Sequence, residues 1–97
     1  MGQRFLQRRL TQTSARIREL RDELRVVEDQ LSHFLDEVDD LSLRAMVSET
    51  PAASYEYRQA KKHADAMSGH RDGLVSEISG LEIKINEYLD RMKDSRL

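Results

Sequence analysis

The chain has 97 residues, of which 35% are charged and 5% aromatic, and its formal net charge is -2. This composition suits long solvated helices better than a thick globular core. Because the sequence has no cysteine, it excludes disulfides, thiolate metal sites and cysteine nucleophiles. No apolar run approaches the roughly 18 residues of a membrane span. No long apolar region follows Met1, so we expect no secretory signal, no membrane association and a cytoplasmic location.

The first half of the chain carries a heptad pattern of apolar residues. The pattern steps alternately by four and three residues, and its one polar member is Thr13. This spacing keeps one narrow stripe toward a partner helix, which is typical of a coiled coil. We therefore predict helix one over about residues 4–47. Its seam consists of Leu6, Leu10, Thr13, Ile17, Leu20, Leu24, Val27, Leu31, Phe34, Val38, Leu41 and Ala45.

A turn is predicted over residues 48–50, directly before the single proline. Thr50 is a favourable N-cap, and Pro51 suits the first helical position because the N–H that it lacks has no partner there. A second heptad pattern with one polar member, Arg71, then predicts helix two over about residues 51–93. Its seam consists of Tyr57, Ala60, Ala64, Met67, Arg71, Leu74, Ile78, Leu81, Ile85, Tyr88 and Met92.

Two long helices joined by so short a turn must lie antiparallel. We expect the whole chain, residues 1–97, to form one all-α domain, an antiparallel two-helix coiled-coil hairpin. Its register follows from volume, since large side chains should face small ones. Placing Phe34 opposite Ala64 satisfies this, whereas a shift by one heptad sets Phe34 against Arg71 and buries a charge against a ring.

Helix two contains three interior glycines, each of which costs about 1 kcal/mol relative to alanine. They indicate either a helix break near residues 68–73 or a continuous helix, and the uninterrupted phase of the seam favours the second. An isolated hairpin buries only a narrow stripe, so we expect a homodimer that forms a four-helix bundle. Small outer-face residues would permit close helix approach. This candidate dimer lane consists of Ala66, Gly69, Gly73, Ser76 and Gly80.

Arg71 lies within an apolar seam, where an unpaired cation is costly and a paired one can fix the register. In the expected register it faces Val27, and Glu28 is the nearest acidic partner. One interpretation is that the stem of Arg71 packs in the seam while its guanidinium reaches Glu28 or solvent. The other is that Arg71 binds an anionic ligand between the helices.

Charge is distributed unevenly along helix one. Residues 1–25 contain seven arginines and three acids, whereas residues 26–50 contain seven acids and one arginine. Helix two brings Arg58, Lys61 and Lys62 beside the acidic end, but the N-terminal arginines gain less compensation. They are either solvated or contact a nucleic acid or an acidic protein. The candidate basic patch consists of Arg4, Arg8, Arg9 and Arg16.

Aromatic and aliphatic residues gather on both sides of the turn. Such a tip is a good presentation surface, because aromatic and arginine side chains often dominate protein interfaces. The alternative is that Tyr57 caps the seam. The candidate interaction tip consists of Leu43, Met46, Val47, Tyr55, Tyr57 and Arg58.

Nothing in the sequence indicates catalysis or a cofactor. Phosphate-binding, nucleophile-elbow and zinc-protease motifs are absent, and two helices provide no catalytic pocket. His63 and His70 lie about 10.5 Å apart along a helix, too far to share a metal ion. We therefore predict a non-enzymatic coiled-coil adaptor or regulator that binds a protein through its outer helix faces and tip. The alternative is a transcription-linked regulator that binds nucleic acid or an anionic small ligand such as a nucleotide.

Two protein families resemble this helical plan. Small secreted hairpin proteins share it but carry a Trp-x-Gly turn, and the sequence has no tryptophan. Hairpin anti-sigma factors that bind a cyclic dinucleotide also share it. Ser54 and Asp65 have the spacing of two residues in the binding motif of these anti-sigma factors. Tyr57 and Lys61, however, occupy the positions where that motif has an arginine and a glutamine. Neither resemblance assigns the chain to a family.

Overall fold

A computed structural model describes residues 2–94 of the chain. They form two helices, α1 over Gln3–Ser48 and α2 over Pro51–Asp94, which pack against each other as a hairpin. The expectation of an all-helical hairpin is confirmed, while the homodimer and the four-helix bundle stay predictions. Residues 1 and 95–97 of the expected domain lie outside the described part. No helix within residues 2–94 combines the length and the apolar character that a membrane crossing requires.

The turn between the helices consists of Glu49 and Thr50. Thr50 caps α2, because its Oγ1 accepts a hydrogen bond from the amide of Ala53 at 3.2 Å. On the other side, Glu49 has a φ of 52°, and its amide donates to the carbonyl of Ala45 at 3.3 Å. A left-handed residue that closes a helix in this way is usually glycine, which has no Cβ to crowd the backbone. The turn therefore combines a favourable cap with a strained residue.

The interior glycines do not interrupt α2. The helix continues through Gly69, Gly73 and Gly80, so the alternative of a break near residues 68–73 is not observed. A Cβ built on any of the three would meet no atom within 4 Å outside its own helical turns. No close approach within the described chain therefore requires glycine at these positions.

The core of the hairpin follows the two predicted seams. Every seam residue is buried or half-buried, and all the buried residues of the described chain belong to the seams. Leu20 is the most deeply buried, at 1% exposed, and the polar seam residue Thr13 is buried as well. Apolar spacing along the sequence thus determines which side chains face the other helix.

The hairpin divides into two compact units. We call residues 2–24 and 73–94 the terminal unit and residues 25–72 the turn unit. Each unit contains a segment of both helices.

Contacts across the helices agree with the expected register in both units. In the terminal unit, Arg9 donates to the hydroxyl of Tyr88 at 3.4 Å. Arg9 directly precedes Leu10, which the register with Phe34 opposite Ala64 places opposite Tyr88. In the turn unit, the ring of Phe34 meets that of His63 edge-on, with centroids 4.5 Å apart. His63 directly precedes Ala64, the expected partner of Phe34.

Candidate functional site

Large apolar side chains are exposed on both sides of the turn. Leu43 is 58% exposed and Val47 is 86% exposed, and Met46 and Tyr55 are also exposed. Since Leu43 and Val47 are four residues apart, they lie on one stripe of α1. This stripe is outside the seam, so the hairpin does not bury it. A cluster of exposed large apolar residues is typical of an interaction surface, whereas single ones are common on any protein.

The two remaining residues of the predicted tip, Tyr57 and Arg58, differ from each other in exposure. Tyr57 is half-buried and belongs to the seam of α2, as the alternative interpretation held, whereas Arg58 is exposed. The exposed tip therefore combines Arg58 with the apolar cluster. The tip of the hairpin thus consists of Leu43, Met46, Val47, Tyr55 and Arg58.

An open groove of about 420 Å³ adjoins the tip. A second groove, of about 540 Å³, shares Leu41, Arg44 and Glu56 with it and continues to Phe34 and His63. Both grooves are open to solvent, which suits side chains of another chain better than an enclosed reaction. The first groove is lined by Leu41, Leu43, Arg44, Val47, Ser48, Ala53 and Glu56.

Sequence reasoning missed Ala53 and Glu56 as lining residues. They are three residues apart at the start of α2 and therefore lie on one side of that helix. This spacing was the available signal, but it needed the turn geometry to place that side next to Arg44.

Acidic side chains border the exposed stripe of α1. Asp36 and Asp40 lie seven and three residues before Leu43, on the same side of the helix. The carboxylates of Asp36, Asp39 and Asp40 are exposed, and none forms a hydrogen bond or ion pair with any residue between 2 and 94. The turn unit contains ten acids and six lysines and arginines. The apolar side chains of the tip are therefore bordered on α1 by an excess of negative charge.

The guanidinium of Arg71 does not pair with Glu28, which was one of the two destinations suggested by its position in the sequence. Arg71 Nε donates to Asp72 Oδ1 at 2.7 Å, and Nη2 donates to Ser68 Oγ at 3.3 Å. Its side chain is 36% exposed, because the stem packs in the seam while the guanidinium leaves it along α2. Polar atoms of its own helix therefore bind the guanidinium in place of Glu28 on α1. The interpretation of a packed stem with an emerging head therefore describes Arg71, with different partners.

Two members of the predicted basic patch are engaged within the terminal unit. Arg16 donates to Glu19 at 3.1 Å and pairs with Glu77 at 3.6 Å. The hydrogen bond to Glu19 raises the pKa of Arg16 above its ordinary value; partial desolvation opposes this rise, and the charge of Glu77 adds to it. Arg9 donates to Tyr88, as described above. These contacts occupy Arg9 and Arg16, so the patch is not a uniform anion-binding surface.

Arg4 and Arg8 differ from the other two arginines. Both are exposed, and neither has a hydrogen bond or ion pair with another residue in the described range 2–94. They are four residues apart on α1 and lie on one side of it, next to Phe5, which is 40% exposed. The structure therefore reduces the basic patch to a small surface at the start of α1.

The predicted dimer lane is exposed in each unit. Gly73, Ser76 and Gly80 are exposed in the terminal unit, and Ala66 and Gly69 are exposed in the turn unit. Since the space above each glycine is open, the lane is accessible to another chain. Its use as a dimer interface stays a prediction.

The described residues contain no group of three or more histidine, cysteine, aspartate or glutamate side chains able to hold a metal ion. Comparisons of the chain with protein-family models, with curated proteins and with solved structures found no match. The function must therefore be inferred from the chemistry of the exposed surfaces.

Proposed function

We propose that this chain is a non-enzymatic coiled-coil module that works as an adaptor or regulator by binding protein through the tip of the turn unit. The observation that supports this proposal is the cluster of exposed apolar side chains around Val47, next to an open groove and bordered by carboxylates. An apolar centre with a charged border is typical of protein interfaces. Tyr55 and Arg58 add the side-chain types that are enriched at interface hot spots.

The hairpin prepares this tip for binding. The cap that Thr50 provides fixes the start of α2, and the seam holds the neighbouring segments of α1 and α2 together. A surface on ordered helices loses less conformational entropy on binding than a surface on a flexible loop. The helices thus act as a support that presents the tip.

A capture experiment with matched variants tests this proposal. The chain is immobilised, and proteins retained from an extract of its host are quantified by mass spectrometry. The test variant is Leu43→Ser with Val47→Ser. The control variant is Ile83→Ser with Leu89→Ser, which removes exposed apolar side chains from the terminal unit instead.

We expect at least one protein to bind the parent chain and the control but to be lost, by about tenfold or more, from the tip variant, since buried apolar anchors dominate interface energies. Retention of the same proteins by all three forms would contradict the proposal. Circular dichroism of each form shows whether the helices remain intact.

A nucleic-acid titration separates the proposal from the basic-patch alternative. Binding through Arg4, Arg8, Arg9 and Arg16 requires an affinity that falls steeply with salt, because bound phosphates release counterions. We expect no such binding at low ionic strength, measured as fluorescence anisotropy of a labelled duplex. Salt-sensitive binding that disappears on Arg4→Glu with Arg8→Glu would favour the alternative.

A further inference from the structure

The first turns of α1 expose a small basic and apolar surface, which we call the arginine face: Arg4, Phe5 and Arg8. Phe5 is exposed although it is a large aromatic residue. Residues 3–21 of α1 contain six arginines and one acid, so this end of the helix has a clear excess of positive charge. The arginine face therefore offers an apolar anchor with cations beside it.

The tip borders a surface of the opposite sign, which we call the acidic stripe: Asp39, Asp40 and Leu43. Leu43 supplies the apolar anchor, and the two carboxylates have no partner within residues 2–94. Residues 26–50 contain seven acids and a single arginine. The acidic stripe is therefore suited to a basic amphipathic helix and unsuited to a nucleic acid.

We propose that the partner of the tip is a second copy of this chain, whose arginine face docks on the acidic stripe. This inference rests on the proposed function and names a partner for the acidic border of the tip, which shares Leu43 with it. A basic helix from an unrelated protein would compensate the acidic stripe alone. A second copy compensates both surfaces at once, and it buries Phe5 as well as Leu43.

The spacing of the two surfaces matches in an antiparallel contact. Phe5 and Arg8 are three residues apart, as are Leu43 and Asp40 in the opposite chain direction. Three residues correspond to about 4.5 Å along a helix. Phe5 of one copy can therefore contact Leu43 of the other while Arg8 reaches Asp40.

The remaining charges are arranged like an ion pair that the hairpin already forms. Arg16 and Glu77 pair across two antiparallel helices at 3.6 Å, and each directly precedes a buried seam residue. Arg4 directly precedes Phe5, and Asp39 directly precedes Asp40, so each charge is likewise next to a residue of the proposed contact. The same helical geometry places Arg4 of one copy beside Asp39 of the other.

The contact joins two different surfaces of the chain, so it is isologous when two copies exchange it reciprocally and heterologous when it is passed on from copy to copy. Two copies that exchange it reciprocally form a closed dimer, and copies that pass it on form a row. In both cases the association depends on opposite charges and weakens with salt. The measured mass distinguishes the closed dimer from the row.

Sedimentation of charge-reversed variants tests the proposal. One variant carries Arg4→Glu and Arg8→Glu, and the other carries Asp39→Lys and Asp40→Lys. We expect the parent to sediment above its monomer mass of 11.3 kDa at low ionic strength. Each variant alone should have a dissociation constant raised at least about tenfold, because like charges now face each other.

Mixing the two variants gives the decisive measurement. In the mixture, the reversed arginine face meets the reversed acidic stripe, and the two unchanged surfaces also meet. We expect the equimolar mixture to associate as the parent does. Because this result requires both variants to be folded, it cannot arise from damage to either one.

Matched controls change the same number of charges elsewhere. Lys84→Glu with Lys93→Glu alters exposed residues of the terminal unit, and Glu28→Lys with Asp29→Lys alters exposed residues of the turn unit. Both controls should associate like the parent. Equal weakening by the controls would show a general charge effect and overturn the proposed contact.

A parent chain that is monomeric at low ionic strength and high concentration would also overturn the inference, as would a mixture that fails to associate. In that case, tip-dependent capture of another protein would still support the proposed function. Conversely, intact self-association without any captured protein would contradict the adaptor role but not the contact between copies.

Discussion

The terminal unit is packed more deeply than the turn unit, although both continue the same heptad pattern. In the terminal unit the buried residues are Leu6, Thr13, Ile17, Leu20, Leu74, Ile78 and Tyr88. In the turn unit they are Val27, Leu31 and Ala64.

Side-chain volume accounts for this difference. The seam of the turn unit includes Ala45, Ala60 and Ala64, and an alanine covers little of the residue that it faces. Phe34 and Val38 therefore remain half-buried. In the terminal unit, leucine, isoleucine and tyrosine fill the layers from both helices. The heptad period decides which residues face the other helix, and their volume decides how deeply they are buried.

Within one coiled-coil pattern, therefore, one segment can bury most of the core while another exposes most of the apolar surface. The terminal unit has the larger buried core. The turn unit has the thinner core and the more exposed apolar side chains, including Val26, Leu35, Leu43, Met46, Val47 and Tyr55. We therefore expect substitutions in the terminal seam to affect stability most and substitutions at the tip to affect binding most.

Truncating one seam leucine in each unit should produce the largest contrast. Leu20→Ala should lower the free energy of unfolding by about 2–5 kcal/mol, since it leaves a cavity at the most buried position. Leu41→Ala should lower it by less than about 2 kcal/mol, because Leu41 already contacts solvent. Urea denaturation followed by circular dichroism measures both. Equal losses would contradict the difference in packing between the units.

Relieving the strained residue of the turn should stabilise the turn unit. Glu49→Gly removes the Cβ from a left-handed backbone conformation and should raise the free energy of unfolding by about 1 kcal/mol. Glu49→Ala is the matched control, since it removes the charge but retains the Cβ. Thermal and urea denaturation should show a gain for glycine alone. A similar gain for alanine would attribute the effect to charge.

Replacing helical glycines should stabilise both units by the same amount. Gly73→Ala in the terminal unit and Gly69→Ala in the turn unit should each add about 1 kcal/mol, because both sites are helical and have room for a Cβ. Equal gains in stability would show that the two units differ in the packing of their seams and not in their helix backbones. If the alanine variants were instead less stable than the parent, and more so at higher protein concentration, the dimer lane would be in contact with another copy.

Cross-helix ion pairs in the terminal unit should contribute least. Arg21 and Glu82 approach to 3.4 Å, and both side chains are more than half exposed. A double-mutant cycle with alanine at both positions should give a coupling energy below about 1 kcal/mol. The coupling should shrink further at high ionic strength. A larger value that resists salt would show that these pairs, and not only the seam, hold the terminal unit together.

The sequence predicted the fold well because periodic patterns depend on short-range spacing. Thr50 and Pro51 marked the start of α2, and the phase of the seam through Gly69 and Gly73 indicated a continuous helix. The residues of the exposed tip were also recognisable, since Leu43 and Val47 lie outside the heptad stripe. The partners of Arg71 were not predicted although Asp72 and Ser68 lie on the same helix, because the sequence offers several acceptors within reach of one long side chain.

By itself, the sequence determined which side chains enter the seam and where the chain reverses, because helical period and capping are local properties. Only the tertiary structure decided how deeply each layer is buried, because depth depends on the volumes that both helices bring to it. It also decided that Arg71 binds Asp72 and Ser68 and that the ring of His63 meets that of Phe34 edge-on. The packed stem of a long side chain determines which acceptors its polar end can reach, and the stem is packed only when the two helices meet.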